Sequence, residues 1–85
     1  MAEAAMLEKV KAMMGVSGSF MDETISLYID EVTDYMKRAG VAASVIAASA
    51  GVVARGVTDL WTNGAGEGKL SPYFYDRVTQ LALGG

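Results

Sequence analysis

Cysteine and histidine are both absent from this chain, and proline occurs once, as Pro72. Without Cys there is no disulfide, no thiol nucleophile and no Cys-based metal site. Without His the commonest general base and the commonest metal ligand are lost together. Basic charge is scarce as well, with 7 Lys and Arg against 10 Asp and Glu, a net charge of −3. That balance leaves no electrostatic footprint for nucleic acid or anionic lipid. These absences lead us to expect no enzyme, no catalytic residue, no cofactor and no metal.

Apolar residues are what the chain has in plenty. Its 85 residues allow one domain, 1–85, yet the hydrophobic fraction is 52% and the mean hydropathy +0.28. A chain this short leaves about 35–40% of its unfolded surface exposed after folding. Apolar side chains therefore exceed what one small core can hide, and some are expected to face a partner. From Ala39 to Ala54 no residue is charged, but the run falls short of the roughly 20 residues a membrane span needs. It is also mostly Ala, Ser and Gly, closed by Arg38 and Arg55, so no membrane partner is expected. The opening Met1 to Met6 has no basic residue and does not read as a secretory signal. The expected compartment is the cytoplasm of the producing cell.

Hydrophobic periodicity predicts an all-α fold, a small bundle of three to four helices with a long central helix and a short C-terminal one. The helices are expected at about 4–14, 20–38, 42–62 and 71–82. In the first, Met6, Leu7, Val10, Met13 and Met14 share a face, and Gly15 and Gly18 end it. In the second, Ile25, Tyr28, Ile29, Val32, Tyr35 and Met36 fall within an arc of about 120°. Ser19 or Asp22 is placed to cap its start, and Gly40 to stop it. Leu27 lies on the polar side with Glu31, Asp34 and Arg38. The third has a core stripe of Ile46, Ala50, Val53, Val57, Leu60 and Trp61, and its back is also small or apolar: Ser44, Val45, Ala48, Gly51, Val52. Only Arg55 and Asp59 bring charge to that back. A helix greasy all round is buried all round, and a neighbouring copy of the chain is the simplest expected cover. Ser71 followed by Pro72 is a specific start signal for the last helix.

Few constellations suggest chemistry. The segment Gly64 to Lys69 resembles a phosphate cradle only on the surface. The residue five before Gly68 is Asn63, the one after Lys69 is Leu70, and Glu67 would repel phosphate. We read it as a linker. Asp30, Glu31 and Asp34 have no apolar surroundings except Leu27 and read as a solvated or subunit-facing surface. Tyr28, Tyr35 and Trp61 sit on core stripes with polar tips at the edge. Tyr73, Phe74 and Tyr75 are consecutive and spread through about 200° of a helix, so at least one is expected to meet a partner.

The order of the pieces resembles a known family. Leu7, Val10 and Lys11 lead through a small-residue turn to Asp22, then to Ile25, Tyr28 and Ile29. A long helix follows, and the chain closes on Ser71-x-x-Phe74-x-x-Arg77-Val78-x-Gln80-Leu81. This is similar to the small head–tail connector (adaptor, head-completion or DNA-packaging) proteins of tailed bacteriophages. The resemblance implies a structural virion protein at the capsid–tail junction, present in the host cytoplasm during assembly. It implies a homo-oligomeric ring, a dodecamer, beneath the portal protein. The ring would extend the DNA channel without sequence-specific binding and meet the next connector, stopper or tail protein.

Portal or partner docking is then expected from Ser71, Pro72, Tyr73, Phe74, Tyr75, Arg77, Val78, Gln80 and Leu81. Subunit contacts are expected from Leu27, Glu31, Val45, Ala48, Val52, Arg55 and Asp59. Rival readings are a small membrane-active protein and a helical regulatory or interaction module.

Overall fold

The computed structural model describes residues 3–63 and 70–84. Among them are five helices and no strand: α1 (Ala4–Met14), α2 (Asp22–Arg38), α3 (Ala43–Ala47), α4 (Ala50–Asn63) and α5 (Pro72–Gly84). The glycine segment 64–69, read above as a linker, lies outside the described residues.

Two helix ends follow directly from glycine placement. After α2, the Gly40 N–H donates to the Lys37 carbonyl (3.1 Å) and the Val41 N–H to the Met36 carbonyl (3.0 Å). Gly40 has φ 99°, a left-handed conformation that a side chain would resist, and Val41 drops into the core. This paired arrangement satisfies carbonyls that the helix leaves open. The same arrangement closes α1, where Gly15 donates to Ala12 and Val16 to Lys11.

The start of α2 departs from expectation. The helix begins at Asp22, two residues later than expected, and neither Ser19 nor Asp22 caps it with a side chain. The Asp22 carboxylate instead lies 2.6 Å from the Lys11 ammonium. Lys11 is itself buried, and its ammonium also donates to the Gly18 carbonyl. An ammonium and a carboxylate this close form a charge-assisted contact in place of a cap. The ion pair wins, and it ties the α1–α2 loop to α1.

The long third helix divides at Ala48 and Ser49 into α3 and α4. No proline or left-handed residue marks the break. The Ser49 hydroxyl donates to the Val45 carbonyl (2.6 Å), and the Ser49 N–H donates to the Ile46 carbonyl (3.0 Å), a tightened turn. Such back-bonding bends a helix. Val53 and Val52 then start α4 by donating to the Ser49 carbonyl.

Shortening α4 lets the chain wrap it. Helices α1, α2, α3 and α5 all pack against it. Val52, Val53, Ala54, Gly56, Val57, Asp59 and Leu60 are buried, and only Gly51, Arg55, Thr58 and the Trp61–Thr62 end reach water. Of the back expected to need a neighbouring copy, the chain itself buries Val52 and half-buries Val45, while Ser44, Ala48 and Gly51 stay exposed.

Gly56 fixes how closely the layers approach. A Cβ there would lie 2.6 Å from Phe74 Cε1 and 2.8 Å from Val32 Cγ1. Phe74 of α5 and Val32 of α2 therefore both rest on bare α4 backbone, and Phe74 is fully buried. Helix α5 runs back along the bundle until Ala82 meets the Gly40 turn. Gly56→Ala gains up to about 1 kcal/mol in helix propensity but overpacks a core position at a cost of about 1–3 kcal/mol. Tyr35 and Tyr75 flank the Phe74 ring at 5.9 and 6.1 Å, so the ring has little room to retreat. The expected outcome is a net loss of about 1–2 kcal/mol, read as a lower urea midpoint.

Candidate interaction surfaces

Each surface residue singled out from the sequence now has a place. Asp59, at the far end of α4, is buried and bonded on both oxygens. Its Oδ2 accepts from the Ser71 hydroxyl (2.6 Å) and the Ser71 N–H (3.0 Å), and its Oδ1 accepts from Arg55 Nε (3.1 Å). The Ser71 oxygen in turn accepts from the Phe74 N–H (3.2 Å), capping α5 as expected. The Arg55 guanidinium lies over the Tyr73 ring, 5.1 Å from its centre. One carboxylate thus joins the end of α4 to the start of α5.

The electrostatics of Asp59 follow from those partners. Burial raises its carboxyl pKa, but the Ser71 hydroxyl, the Ser71 amide and Arg55 together outweigh that and hold it below its ordinary value. A depressed carboxylate contributes stability that is present above the unfolded value, near 3.9, and lost as pH falls through the folded one.

The closing pattern is therefore mostly a fold signature. Phe74 and Val78 are buried in this chain's own core, Leu81 packs against it, and Ser71 is spent on Asp59. These four were expected to dock a portal; their side chains are engaged internally because α5 has to seat on Gly56. Pro72, Tyr73, Tyr75 and Gln80 remain exposed, and Arg77 is half-buried with its guanidinium on Gln80. The aromatic trio divides as its angular spread requires, one ring inward and two outward.

The expected subunit-contact set divides too. Leu27 is 62% exposed, and Glu31, Ala48 and Arg55 also face water. Val45 is half-buried against the core. Val52 and Asp59 are each only 8% exposed. These two point inward, not outward: Val52 joins the chain's own core cluster, and Asp59 is turned toward Ser71.

Tyr28 meets Trp61 edge-on at 6.0 Å, and Tyr35 meets Tyr75 at 5.7 Å. These rings form an aromatic border along α2, half in water. Asp34 pairs with Arg38 (2.9 Å) on the exposed side, a contact that contributes little. Asp30 is half-buried and, unlike Glu31 and Asp34, belongs to a groove.

That groove lies between α1, α2 and α3 and has a volume of about 290 Å³. Ile29 and Ile46 floor it, Met6, Ala43 and Ala47 wall it, and Lys37 stands at its rim with Glu3 and Asp30. Sequence periodicity did not find it, because Ala43 and Ala47 read as small residues of one long helix. At the opposite end of the α1–α2 pair, Phe20 is 94% exposed, a side chain the sequence reading had placed inside a helix. Among the described residues, no group of acidic residues is arranged to hold a metal ion, and no helix is long and apolar enough to cross a membrane.

Compared with known families, residues 4–68 match the family described as phage gp6-like head-tail connector protein. The chain belongs to that family. The match covers α1 to α4, including the Lys11–Asp22 pair, the Gly40 turn and Gly56, and ends before the closing helix. Comparison with curated proteins and with solved structures gave no match. The connector fold is all-α, as the periodicity indicates.

Removing Asp59 tests the α4–α5 clasp in the connector. Asp59→Ala strands two Ser71 donors and is expected to cost about 2–3 kcal/mol near neutral pH. The difference in urea midpoint between wild type and variant should hold steady above about pH 5 and shrink as pH falls below about 4 and on through the lowered folded value. A difference that stays constant with pH contradicts the charged clasp.

Proposed function

We propose that this connector forms a closed ring beneath the portal of a filled capsid, extends the DNA channel and presents a platform to the next connector, stopper or tail protein. The family match over residues 4–68 carries this reading. The ring is a dodecamer of copies of this one chain, and the role is structural: the protein converts no substrate and needs no cofactor. The protein is found at the capsid–tail junction of the virion and, before assembly, in the host cytoplasm.

Physical features of the monomer agree with such a role. Large apolar side chains stay in water on several sides: Met13, Phe20, Leu27, Tyr73, Tyr75 and Leu83 are all at least 41% exposed. A chain that has already filled its core carries such residues for partners. Leu27 with Glu31 on α2 and Ala48 with Arg55 supply subunit surface, while Tyr73, Tyr75 and Gln80 on α5 supply portal surface. DNA passes without specific binding, and the net charge of −3 opposes its condensation on a channel wall.

Negative-stain imaging and mass photometry of the purified protein, mixed with the portal protein of its phage, test the reading. Closed rings of uniform mass on the portal are expected. A chain that remains a single copy in the presence of the portal would sink it. Reversing the charge of Glu31 and Asp34 together should slow DNA release or lower infectivity if these residues line the channel; unchanged infectivity places them elsewhere.

A further inference from the structure

Gly51 is a glycine without a use inside its own chain. Gly15, Gly18 and Gly40 are left-handed, and Gly56 admits Phe74 and Val32. Gly51 does neither. It lies in the first turn of α4 without a positive φ, and a Cβ there would meet nothing within 4 Å. Glycine is less favourable than alanine in a helix, so the monomer alone gives no reason for it. Bare backbone on an exposed helix face does let a side chain from outside come close, as Phe74 comes close at Gly56. Ala47 and Ala48, on the preceding turn, are exposed and short, and they leave the approach open.

The outer face of α2 carries a side chain and a charge that match this place. Leu27 is 62% exposed, and Glu31 follows it by four residues on the same face. Arg55 follows Gly51 by the same four residues and is the one exposed charge among the described residues of α3 and α4. With the two helices side by side and running the same way, Leu27 over Gly51 brings Glu31 to Arg55. Arg38, the cation of the α2 face, is taken by Asp34 (2.9 Å), which leaves Glu31 to pair outside.

These two faces cannot meet within one molecule. Helices α2 and α4 pack directly on each other, with Val32 against Gly56. Leu27 and Glu31 are on the outward side of α2, away from the buried Ile25, Ile29 and Met36. Gly51 and Arg55 are on the outward side of α4, away from the buried Val53 and Val57. Matching faces turned in opposite directions join copies head to tail, and such contacts close into a ring or continue as a filament.

We infer that Leu27 of each copy of the connector rests on Gly51 of the next copy, with Glu31 against Arg55, and that this pairing is the head-to-tail subunit contact. The inference rests on the ring reading above and names which of its surfaces meet. It leaves Tyr75 and Gln80 of α5 to other proteins.

Two measurements test it. The chain has no cysteine, so Leu27→Cys combined with Gly51→Cys introduces a pair that bridges copies and, being on opposite sides, does not bridge within one. Rings assembled on the portal and then oxidised should run on a denaturing gel as a ladder of covalent multimers. Either substitution alone should give nothing beyond a dimer. In the second measurement, Gly51→Leu covers the bare backbone with a side chain whose Cβ meets open space in the monomer. Its urea midpoint should equal or exceed that of wild type, while ring formation should need roughly thirtyfold more protein, the loss typical of a blocked hot spot.

Rings that form without the ladder, or a Gly51→Leu chain that assembles like wild type, overturn the contact and leave the connector reading intact. If Gly51→Leu folds poorly, the cysteine ladder alone decides. Wild-type protein that stays a single copy with portal overturns the ring and the contact together.

Discussion

The approach of Phe74 to bare backbone at Gly56 is the constraint on which the rest of this bundle depends. A ring edge 2.6 Å from where a Cβ would stand means that any residue but glycine at that point of α4 must push the ring aside. The same glycine admits Val32 from α2 on the neighbouring side, so one missing methyl sets two helix–helix distances at once. Seating Phe74 also brings Ser71 to Asp59, because three residues separate ring and hydroxyl on the first turn of α5. The clasp and the seat support one another, and helix α5, which packs chiefly on α4, is held by both.

That glycine was visible in the sequence, and its meaning was not. A glycine in a helix interior costs about 1 kcal/mol against alanine, so its presence amid Val53, Arg55, Val57 and Leu60 signals a close approach. Nothing local says what approaches. The helix ends at Gly15 and Gly40 were legible because their cause is local: a left-handed residue followed by an apolar one. The Ser71–Pro72 start was legible for the same reason. Lys11 and Asp59 were not, since a charged residue on a helix becomes a buried partner only when a distant segment supplies its opposite. Ser49 was missed because its hydroxyl can serve either a continuous helix or a bent one, and tertiary packing makes the choice.

Misreading that bend had a consequence for function. A single helix over 42–62 has a greasy back that asks for another chain; in the fold Val52 of that back joins the chain's own core, while Ser44, Ala48 and Gly51 stay exposed. The surplus of apolar residues is nonetheless real, and it lies elsewhere. It appears as large side chains at the corners: Phe20 on the first loop, Leu27 on the outer α2, Leu83 near the end of α5. Composition gave the amount of exposed apolar surface, and only the fold gives its location.

Corners suit the proposed ring better than a continuous flat face would. A broad apolar flank would join copies side by side without fixing an angle, and would aggregate in the free protein. Small anchors on separate faces, each backed by a rigid element, fix the orientation of the next copy while exposing little surface before assembly. The loop carrying Phe20 has such backing in the Lys11–Asp22 pair. Tyr73 has it in the Arg55 guanidinium overhead. A buried ion pair thus stands behind Phe20 and an exposed cation–ring contact beside Tyr73. In the proposed ring, breaking the Lys11–Asp22 pair would loosen the α1–α2 loop and the setting of Phe20 in the same step, tying the stability of the monomer to its assembly.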